Sequence, residues 1–385
     1  MPRILYFFAL CNLVIGSGAF VLSGILQLLA RELAISVAAA GQVMTAYAIA
    51  TAVLAPVLIL LTAKWLRKRV IQLALGLFTL GNLVSALAPT LAVLLLGRVL
   101  MGAGAMFTAA VSAYAVTLVA PALRGRALST VFLGMSISYA VALPMGAWLG
   151  FEYGWHTPVW LCTAASLAAL LAATVLLPTG MATVNASFVG FKTAAKQSAV
   201  LRVWLRSLLF FIGIFSVFAY VGSVLQALNA MGATQLSVVL AIFGLAGIAG
   251  TLLGGWATDH FGSLRTIGVQ LTVLISMMCL LPLTQGHLPA TVATLVVWGI
   301  AGFGMTAPQQ GRLVSLSPTQ APLLLSLNSS MLYLGTALGA VISGALIQSV
   351  GFAHLGWVGA PFGLAALLTL AFDRTPVVSA WPQTS

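Results

Sequence analysis

Charge is scarce in this sequence. Only 5% of the 385 residues are charged, against roughly 25% in soluble domains, so the chain cannot make a water-facing surface. Just four residues are acidic, Glu32, Glu152, Asp259 and Asp373, and they fall in loops or at the ends of apolar runs, as the four histidines do. The sequence shows no carboxylate pair and no nucleophile beside a base, so we expect that the protein is not an enzyme.

Cysteine is equally rare. Cys11, Cys162 and Cys279 lie inside apolar runs, and no pair has the spacing of metal ligands. They are typical of small buried hydrophobic residues, and neither a metal nor another cofactor is expected. The net charge of +12 would indicate a nucleic-acid partner in a soluble protein. Here the basic residues stand in short loops between apolar runs, where they set membrane orientation instead.

Long apolar runs are what the sequence has in abundance. Hydrophobic residues make up 61% of the chain, and stretches of about 20 of them, enough to cross a bilayer as a helix, recur along almost its whole length. We therefore predict an all-α membrane protein with twelve transmembrane helices embedded in lipid. The predicted spans are 4–29, 37–61, 70–88, 91–119, 127–150, 158–177, 207–229, 235–257, 266–284, 290–311, 322–349 and 355–372.

The longest connection, 178–206, divides the spans into two sets of six. This layout predicts two pseudo-symmetric six-helix bundles related by an axis along the membrane normal. With both termini in the cytoplasm, every basic loop residue except Arg31 falls on the inner side, as the positive-inside rule requires. The predicted parts are an N-terminal bundle at 1–177, a cytoplasmic linker at 178–206, a C-terminal bundle at 207–373 and a cytoplasmic tail at 374–385.

Small residues recur at every fourth place in the fifth span, GMSISYAVALPMGAWLG at 134–150. Such a stripe lets another helix approach closely, which is how helices associate in lipid, and the proline lets the helix bend. The eleventh span carries a similar stripe. We interpret the two as seams along which the bundles seal on one side and rock against each other. The helix-packing residues are Gly134, Ser138, Ala142, Pro144, Gly146, Gly335 and Gly339.

Three motifs resemble those of the major facilitator superfamily. The run ALPMGAWLGFEYGWH looks like the antiporter motif of the fifth helix, although Leu143 precedes Pro144. The run LLLGRVLMGAGA is similar to the fourth-helix motif, in which an arginine, here Arg98, is followed by glycines. The run GGWATDHFGSLR matches the second-half gating motif. The resemblance covers the whole chain, is nearest to the bacterial sugar-efflux and drug:proton antiporter branch (arabinose-efflux-like), and implies the major facilitator fold.

The resemblance also implies a gate at the cytoplasmic end. A carboxylate there can meet the positive end of a helix or a basic loop residue and hold that side shut in one state. The first-half copy, LLTAKWLRKR, lacks the acid and keeps only the basic residues. The alternative is a solvated loop pair that contributes little. The gating residues are Lys64, Arg67, Asp259, Gly262 and Arg265.

Polar residues inside the spans mark a candidate binding site. A charge within a span is costly, so Arg98 should face the bundle interior and serve function, unless it reaches the outer interface. The resemblance implies a cavity lined by spans 1, 4, 7 and 10, where amides, hydroxyls and aromatic faces would suit a polyhydroxylated or heterocyclic solute. Hydrogen bonding between helices is the alternative. The predicted substrate-binding residues are Asn12, Gln27, Arg98, Tyr220, Gln226, Gln309 and Asn328.

Together these features favour a monomeric transporter in a bacterial cytoplasmic (inner) membrane. We expect it to export a sugar, nucleoside or drug-like compound by alternating access with proton antiport. No carboxylate or histidine lies plainly within a span, so coupling to protons would fall to Glu32 or Asp259. The alternatives are an uncoupled facilitator, an uptake carrier and a lipid translocator. A receptor is disfavoured because no domain outside the membrane could relay a signal.

Overall fold

The twelve-helix prediction is confirmed. The computed structural model of the protein describes residues 2–115, 117–120, 124–178, 197–316 and 321–373. Of the residues in these ranges 88% are helical, and none is in a strand. Twelve helices of this described part are long and apolar enough to cross a membrane. In lipid only helices or closed barrels satisfy every backbone group, which is why an apolar chain of this pattern folds into helices.

Sixteen α-helices of the described ranges build the twelve spans. The N-terminal half contains α1 (Arg3–Phe20), α2 (Leu26–Glu32), α3 (Val37–Leu61), α4 (Arg67–Ala86), α5 (Leu91–Gly104), α6 (Met106–Ala115), α7 (Arg124–Tyr153) and α8 (His156–Leu176). The C-terminal half contains α9 (Ser198–Phe218), α10 (Val221–Leu228), α11 (Ala233–Phe261), α12 (Ser263–Leu280), α13 (Leu288–Gly304), α14 (Thr306–Leu316), α15 (Ala321–Val350) and α16 (Leu355–Leu368). Short 3₁₀ turns occur at Leu281–Thr284, Phe352–His354 and Thr369–Phe372.

Four spans are broken where the sequence predicts continuous helices. The first span stops at Phe20 and resumes at Leu26, and the seventh stops at Phe218 and resumes at Val221. Ile25 and Tyr220, which precede the second pieces, have nearly the same backbone angles (φ −128°, ψ 23° and φ −116°, ψ 22°). The fourth and tenth spans are each interrupted at a single residue, Ala105 and Met305, and these two also have similar backbone angles (φ −63°, ψ −11° and φ −67°, ψ −23°). The breaks therefore repeat between the halves.

Two predicted boundaries differ from the structure by five residues or more. The seventh span begins at Ser198, so residues 198–206, assigned to the linker from the sequence, are helical. The tenth span continues to Leu316 and takes in Arg312, which was predicted to lie in a loop. In both cases an arginine suggested the end of a span, whereas its side chain here is buried within one. Residues 179–196 of the linker and the tail at 374–385 lie outside the described ranges.

The small-residue stripes pack inside each half. On α7, a Cβ at Gly134 would overlap the carbonyl oxygen of Ala9 in α1, and one at Gly146 would approach that of Val21. On α15, Gly335 and Gly339 lie against α9 in the same manner. The other members of the α7 stripe share this environment, since Ser138 contacts Gly16, Ala142 is fully buried and Pro144 stays within the helix. The sequence had suggested that the two stripes form seams between the bundles. Each stripe instead packs within its own half, so the two do not face each other.

The two halves meet through other surfaces, chiefly α7 with α11 and α3 with α15. Glycines allow the closest approaches: Gly222 lies on the Gly24 backbone, Gly41 on the Tyr220 ring and Gly244 on the Ala140 backbone. In the described ranges, the ring pairs and glycine contacts between the halves run from the midplane to one end of the bundle. We call the end with Gly24, Gly41 and Gly222 the closed end, and the opposite end, with Lys64 and Asp259, the open end.

Replacing Gly134 by alanine tests the packing of α7 on α1. The added Cβ would overlap the Ala9 carbonyl, and over-packing of this kind costs about 1–3 kcal/mol. We expect a lower midpoint of thermal unfolding in detergent. Gly76→Ala is the matched control, because a Cβ there meets nothing within 4 Å and alanine is preferred over glycine in helices by roughly 1 kcal/mol. Equal midpoints for the two variants would contradict the packing described.

Candidate functional site

Arg98 is buried inside the N-terminal half. It extends from α5, is only 1% exposed, and its Nη1 donates to the Gly18 carbonyl at 2.8 Å and approaches that of Ala19 at 3.5 Å. Both oxygens belong to the last turn of α1, where unpaired carbonyls carry partial negative charge. Arg98 therefore links the fourth span to the break in the first. It does not reach a membrane interface, and no acidic residue of the described chain pairs with it.

A buried polar network in the N-terminal half contains Asn12. Its amide donates to the Val131 carbonyl of α7 at 3.0 Å, and the Thr108 hydroxyl of α6 donates to its side-chain oxygen at 2.7 Å. Asn12 has no exposed surface. The residue predicted to bind substrate thus joins the first, fourth and fifth spans in this structure.

The C-terminal half repeats this network with different residues. Ser207 of α9 donates to the Asn328 side-chain oxygen of α15 at 2.6 Å, and the Gln309 amide of α14 donates to Ser207 at 2.9 Å and to the Val203 carbonyl at 3.1 Å. Ser207 stands where Asn12 does when the two helix breaks are aligned. Gln309 and Asn328, both predicted binding residues, are therefore brought together, and they too serve contacts between helices.

A small cavity adjoins the C-terminal network. Its volume is about 10 Å³, enough for one water molecule. The Oε1 atom of Gln309 is buried and has no hydrogen-bond partner in the described chain, so a donor in this cavity would complete the network. The lining residues are Ser207, Phe210, Phe211, Met305, Thr306, Gln309, Gln310, Asn328 and Leu332.

Aromatic rings from both halves meet near the midplane. Tyr139 of α7 stacks on Phe20 with a centroid distance of 4.7 Å and meets Phe303 of α13 edge to face at 4.7 Å. Tyr47 of α3 meets Tyr333 of α15 edge to face at 6.2 Å. We call these five residues the ring cluster. Its tyrosines are not among the residues predicted to bind substrate, because only the pairing of helices across the interface brings them together.

A buried ion cluster at the open end was also missed from the sequence. Asp373 receives Nη2 of Arg206 at 3.0 Å on one carboxylate oxygen and Nη2 of Arg312 at 2.8 Å on the other. Arg206 also donates through Nε to the Thr369 hydroxyl at 2.8 Å. The three charged side chains are almost completely shielded from solvent. They tie the seventh and tenth spans to the end of the twelfth.

The two arginines determine the protonation state of Asp373. Burial alone would raise the pKa of this carboxyl, but the hydrogen bonds and charges of Arg312 and Arg206 outweigh it, and the pKa lies below the ordinary value of 3.8. Asp373 is therefore ionised at neutral pH. It cannot act as a proton carrier in the physiological range.

The predicted gating residues lie at the open end. Lys64 on one half and Asp259, Gly262 and Arg265 on the other are exposed, and Gly262 has the positive φ of 80° that favours glycine. Arg67 is buried in the first turn of α4. Next to it, Lys68 donates to the Thr174 and Leu177 carbonyls at the end of α8, where the helix dipole stabilises a cation.

The remaining predicted residues collect near the closed end. Tyr220 is buried and donates its hydroxyl to the Ala340 carbonyl at 3.1 Å. Gln27 on α2 and Gln226 on α10 are half-buried, and Glu32 is exposed at the end of α2. The predicted substrate-binding residues therefore form two groups. One lies near the closed end, and the other lies at the midplane and between the midplane and the open end.

Asp373→Asn should destabilise the protein at neutral pH. Two buried arginines would lose their counter-charge, which costs about 3–5 kcal/mol, so the midpoint of thermal unfolding should fall. Because the pKa of Asp373 is lower in the folded protein, its stabilisation is full above the ordinary value and is lost as the pH falls through the folded value. The gap between wild type and variant should therefore narrow below about pH 4.

Asp259→Asn is the matched control, because Asp259 is exposed at the same end. It should leave the midpoint at neutral pH unchanged. A destabilisation by Asp373→Asn that stays constant down to about pH 2, well below the ordinary carboxyl pKa, would show that its charge is not what stabilises the cluster.

Comparison with known proteins agrees with this architecture. The family model described as Major Facilitator Superfamily matches residues 8–321. A Bacillus subtilis (strain 168) protein, "Uncharacterized MFS-type transporter YbcL", is 30% identical over 379 residues, covering 97% of this chain and 96% of the relative. "Inner membrane transport protein YdhP" of Escherichia coli (strain K12) is 29% identical over 364 residues, covering 94% and 93%.

A solved structure extends the agreement to three dimensions. The crystal structure of a D-xylose-proton symporter superposes with a TM-score of 0.79 over 98% of each chain at 16% identity, which shows a shared fold. The family match and the bacterial relatives cover most or nearly all of the chain. The protein therefore belongs to the major facilitator superfamily of membrane transporters.

Proposed function

We propose that the protein exports a small solute, a sugar, nucleoside or drug-like compound, by alternating access. The observation that carries the proposal is the one-sided contact between the halves. Gly222 rests on the Gly24 backbone and Gly41 on the Tyr220 ring, so the bundle is sealed at one end. At the other end Lys64, Asp259 and Arg265 are exposed. A sealed and an unsealed end are what one of two alternating states requires.

The basic residues support an orientation with the open end and both termini in the cytoplasm. Lys64, Arg67, Arg202 and Arg265 lie at the open end, and Arg31 lies at the closed end. Cytoplasmic loops of membrane proteins carry this excess of positive charge. The Escherichia coli relative is named an inner membrane transport protein, which supports an inner-membrane location for this protein. In this orientation a solute inside the cell can reach the open end, as export requires.

The gating residues fit a switch at the open end. Asp259 and Arg265 on one half and Lys64 on the other are exposed, so their charges are solvated in the present state. We propose that they approach one another when the open end closes and the glycine contacts of the closed end separate. Charges that pair in only one state bias the equilibrium between the two.

Proton antiport is the proposed driving force, with Glu32 or Asp259 as the titrating group. Both carboxylates are exposed, one at each end of the bundle, where a conformational change can alter their surroundings. One observation favours uncoupled transport, in either direction, as the second candidate. The only buried acid of the chain, Asp373, is held ionised by two arginines. A lipid substrate is the remaining alternative.

Spin-label distances test alternating access without a known substrate. One label pair at Tyr153 and Ala230 spans the closed end, and a second pair at Leu61 and Phe261 spans the open end; all four positions are exposed. The exposed native Cys279 is replaced by serine in both. Pulsed electron paramagnetic resonance should show two distance populations for each pair. The state with the longer distance at one end should have the shorter distance at the other end.

Gly222→Trp should shift this equilibrium. The side chain would collide with the Gly24 backbone and keep the closed end from sealing. We expect the closed-end distance to lengthen and the open-end distance to shorten. Gly232→Trp is the matched control, because a Cβ at Gly232 meets nothing within 4 Å and the residue lies at the same end. Lengthening at one end with no change at the other would refute the mechanism.

Arg98→Ala should impair transport in a folded protein. The variant loses the hydrogen bond to the Gly18 carbonyl, and a bond from a charged donor contributes roughly 1.5–3 kcal/mol, or about 10- to 100-fold in rate if the transport step depends on it. Everted vesicles, acid inside, are given sugars, nucleosides and amphiphilic compounds, and solute-dependent loss of the pH gradient is recorded. Arg69→Ala, at an exposed arginine, should transport normally. Intact transport by Arg98→Ala would remove Arg98 from the proposal.

A further inference from the structure

None of the acidic residues of the chain lies near the midplane. The sequence contains only four. Glu32 and Glu152 are exposed at the closed end, Asp259 is exposed at the open end, and Asp373 is bound by two arginines. The space between the halves therefore offers a bound solute no carboxylate with which to pair.

The midplane does contain a positive charge. Arg98 is buried on α5 and is held by backbone carbonyls rather than by an acid. Arg98 lies near Tyr47 of the ring cluster, because Gly102, one turn beyond Arg98, packs against the Tyr47 carbonyl. A cation placed at the ring cluster would therefore be repelled by Arg98 and have no partner of opposite charge.

The ring cluster supplies flat apolar surface from both halves. Tyr139 and Tyr333 and the Phe303 ring are partly exposed, whereas Phe20 and Tyr47 behind them are buried. The Tyr47 ring meets the Tyr333 ring edge to face, and the buried Tyr47 hydroxyl makes no hydrogen bond of good geometry in the described chain. A planar ring can stack on the exposed faces, and a polar substituent on it can satisfy this buried hydroxyl.

We infer that the transported solute is a ring compound without positive charge, bound between Tyr139, Phe303 and Tyr333. The inference rests on the proposed alternating-access function, because both halves must contribute to one site that is enclosed during transport. It separates the drug-like candidates by charge: uncharged and anionic aromatic compounds are accepted and lipophilic cations are rejected. The rings alone would attract a cation through their faces, but without a counter-charge this attraction does not offset Arg98 and the loss of hydration.

Three probes on one scaffold test the inference. They are 2-naphthalenemethanol, which is uncharged, 2-naphthoate, which is anionic, and a trimethylammonium derivative of 2-methylnaphthalene, which is cationic. Binding to the purified full-length protein is measured at neutral pH by the rise in the midpoint of thermal unfolding with concentration. We expect the uncharged or the anionic probe to bind at least tenfold more tightly than the cation. Equal or tighter binding of the cation, or no binding of any probe, would overturn the inference.

A pair of variants localises the effect to the ring cluster. Tyr333→Glu introduces a carboxylate at the partly exposed ring, and Tyr333→Gln introduces a side chain of similar size without charge. The Glu variant should bind the cationic probe at least tenfold more tightly than the Gln variant does. Equal cation binding by the two would place the probes elsewhere and refute the assigned site. If neither variant folds, the wild-type comparison of the three probes still decides the matter.

The spin-label distances keep the two proposals apart. If the distances exchange between the ends but the cation binds as well as the other probes, the assigned solute class is wrong and alternating access stands. If the probes bind in the expected order but the distances at the two ends do not exchange, the site exists and the transport mechanism is wrong.

Discussion

Close approach of helix backbones is the interaction on which the rest of this structure depends. Lipid provides no hydrophobic drive between helices, so association rests on van der Waals contact. One set of glycines, including Gly134 and Gly335, joins helices within a half, and another, including Gly41 and Gly222, joins the halves at the closed end. The second set involves no ion pair. Separating the halves there would leave no unpaired charge behind.

The distribution of charge follows from the same solvent. Ionised groups lie near the ends of the helices, and the one placed deeper, Arg98, donates a hydrogen bond to a backbone carbonyl. Taking a further cation out of water without a partner costs several kcal/mol, whereas an aromatic face returns about 0.5–2 kcal/mol. The cost of desolvation exceeds this gain, so a ring cluster beside a buried arginine selects against cations.

The number of spans and their division into halves could be predicted, because apolar length and loop charge are properties of the sequence. The helix breaks at Ala105 and Met305 could not be placed, since glycines are common within membrane helices and do not mark a break by themselves. The cluster of Arg206, Arg312 and Asp373 was hidden because each charge was taken as the end of a span. The stripe on α7 identified a packing face, but a repeat of small residues does not say which helix it contacts.

The two halves repeat the same backbone arrangement, but the side chains at matching positions differ. This difference can give the halves different parts in the function. Counted from the breaks at Ala105 and Met305, Trp298 occupies in α13 the place that Arg98 has in α5. Trp298 stacks on Phe243 at 5.2 Å, so the second half is held there by ring packing, which polarity changes affect little. In the first half the end of α1 depends on a charged hydrogen bond. Arg98 therefore ties the fourth span to α1 by a charged hydrogen bond, whereas Trp298 ties the tenth span to α11 by ring packing, so a change of charge near the midplane acts more directly on the contacts of the first half.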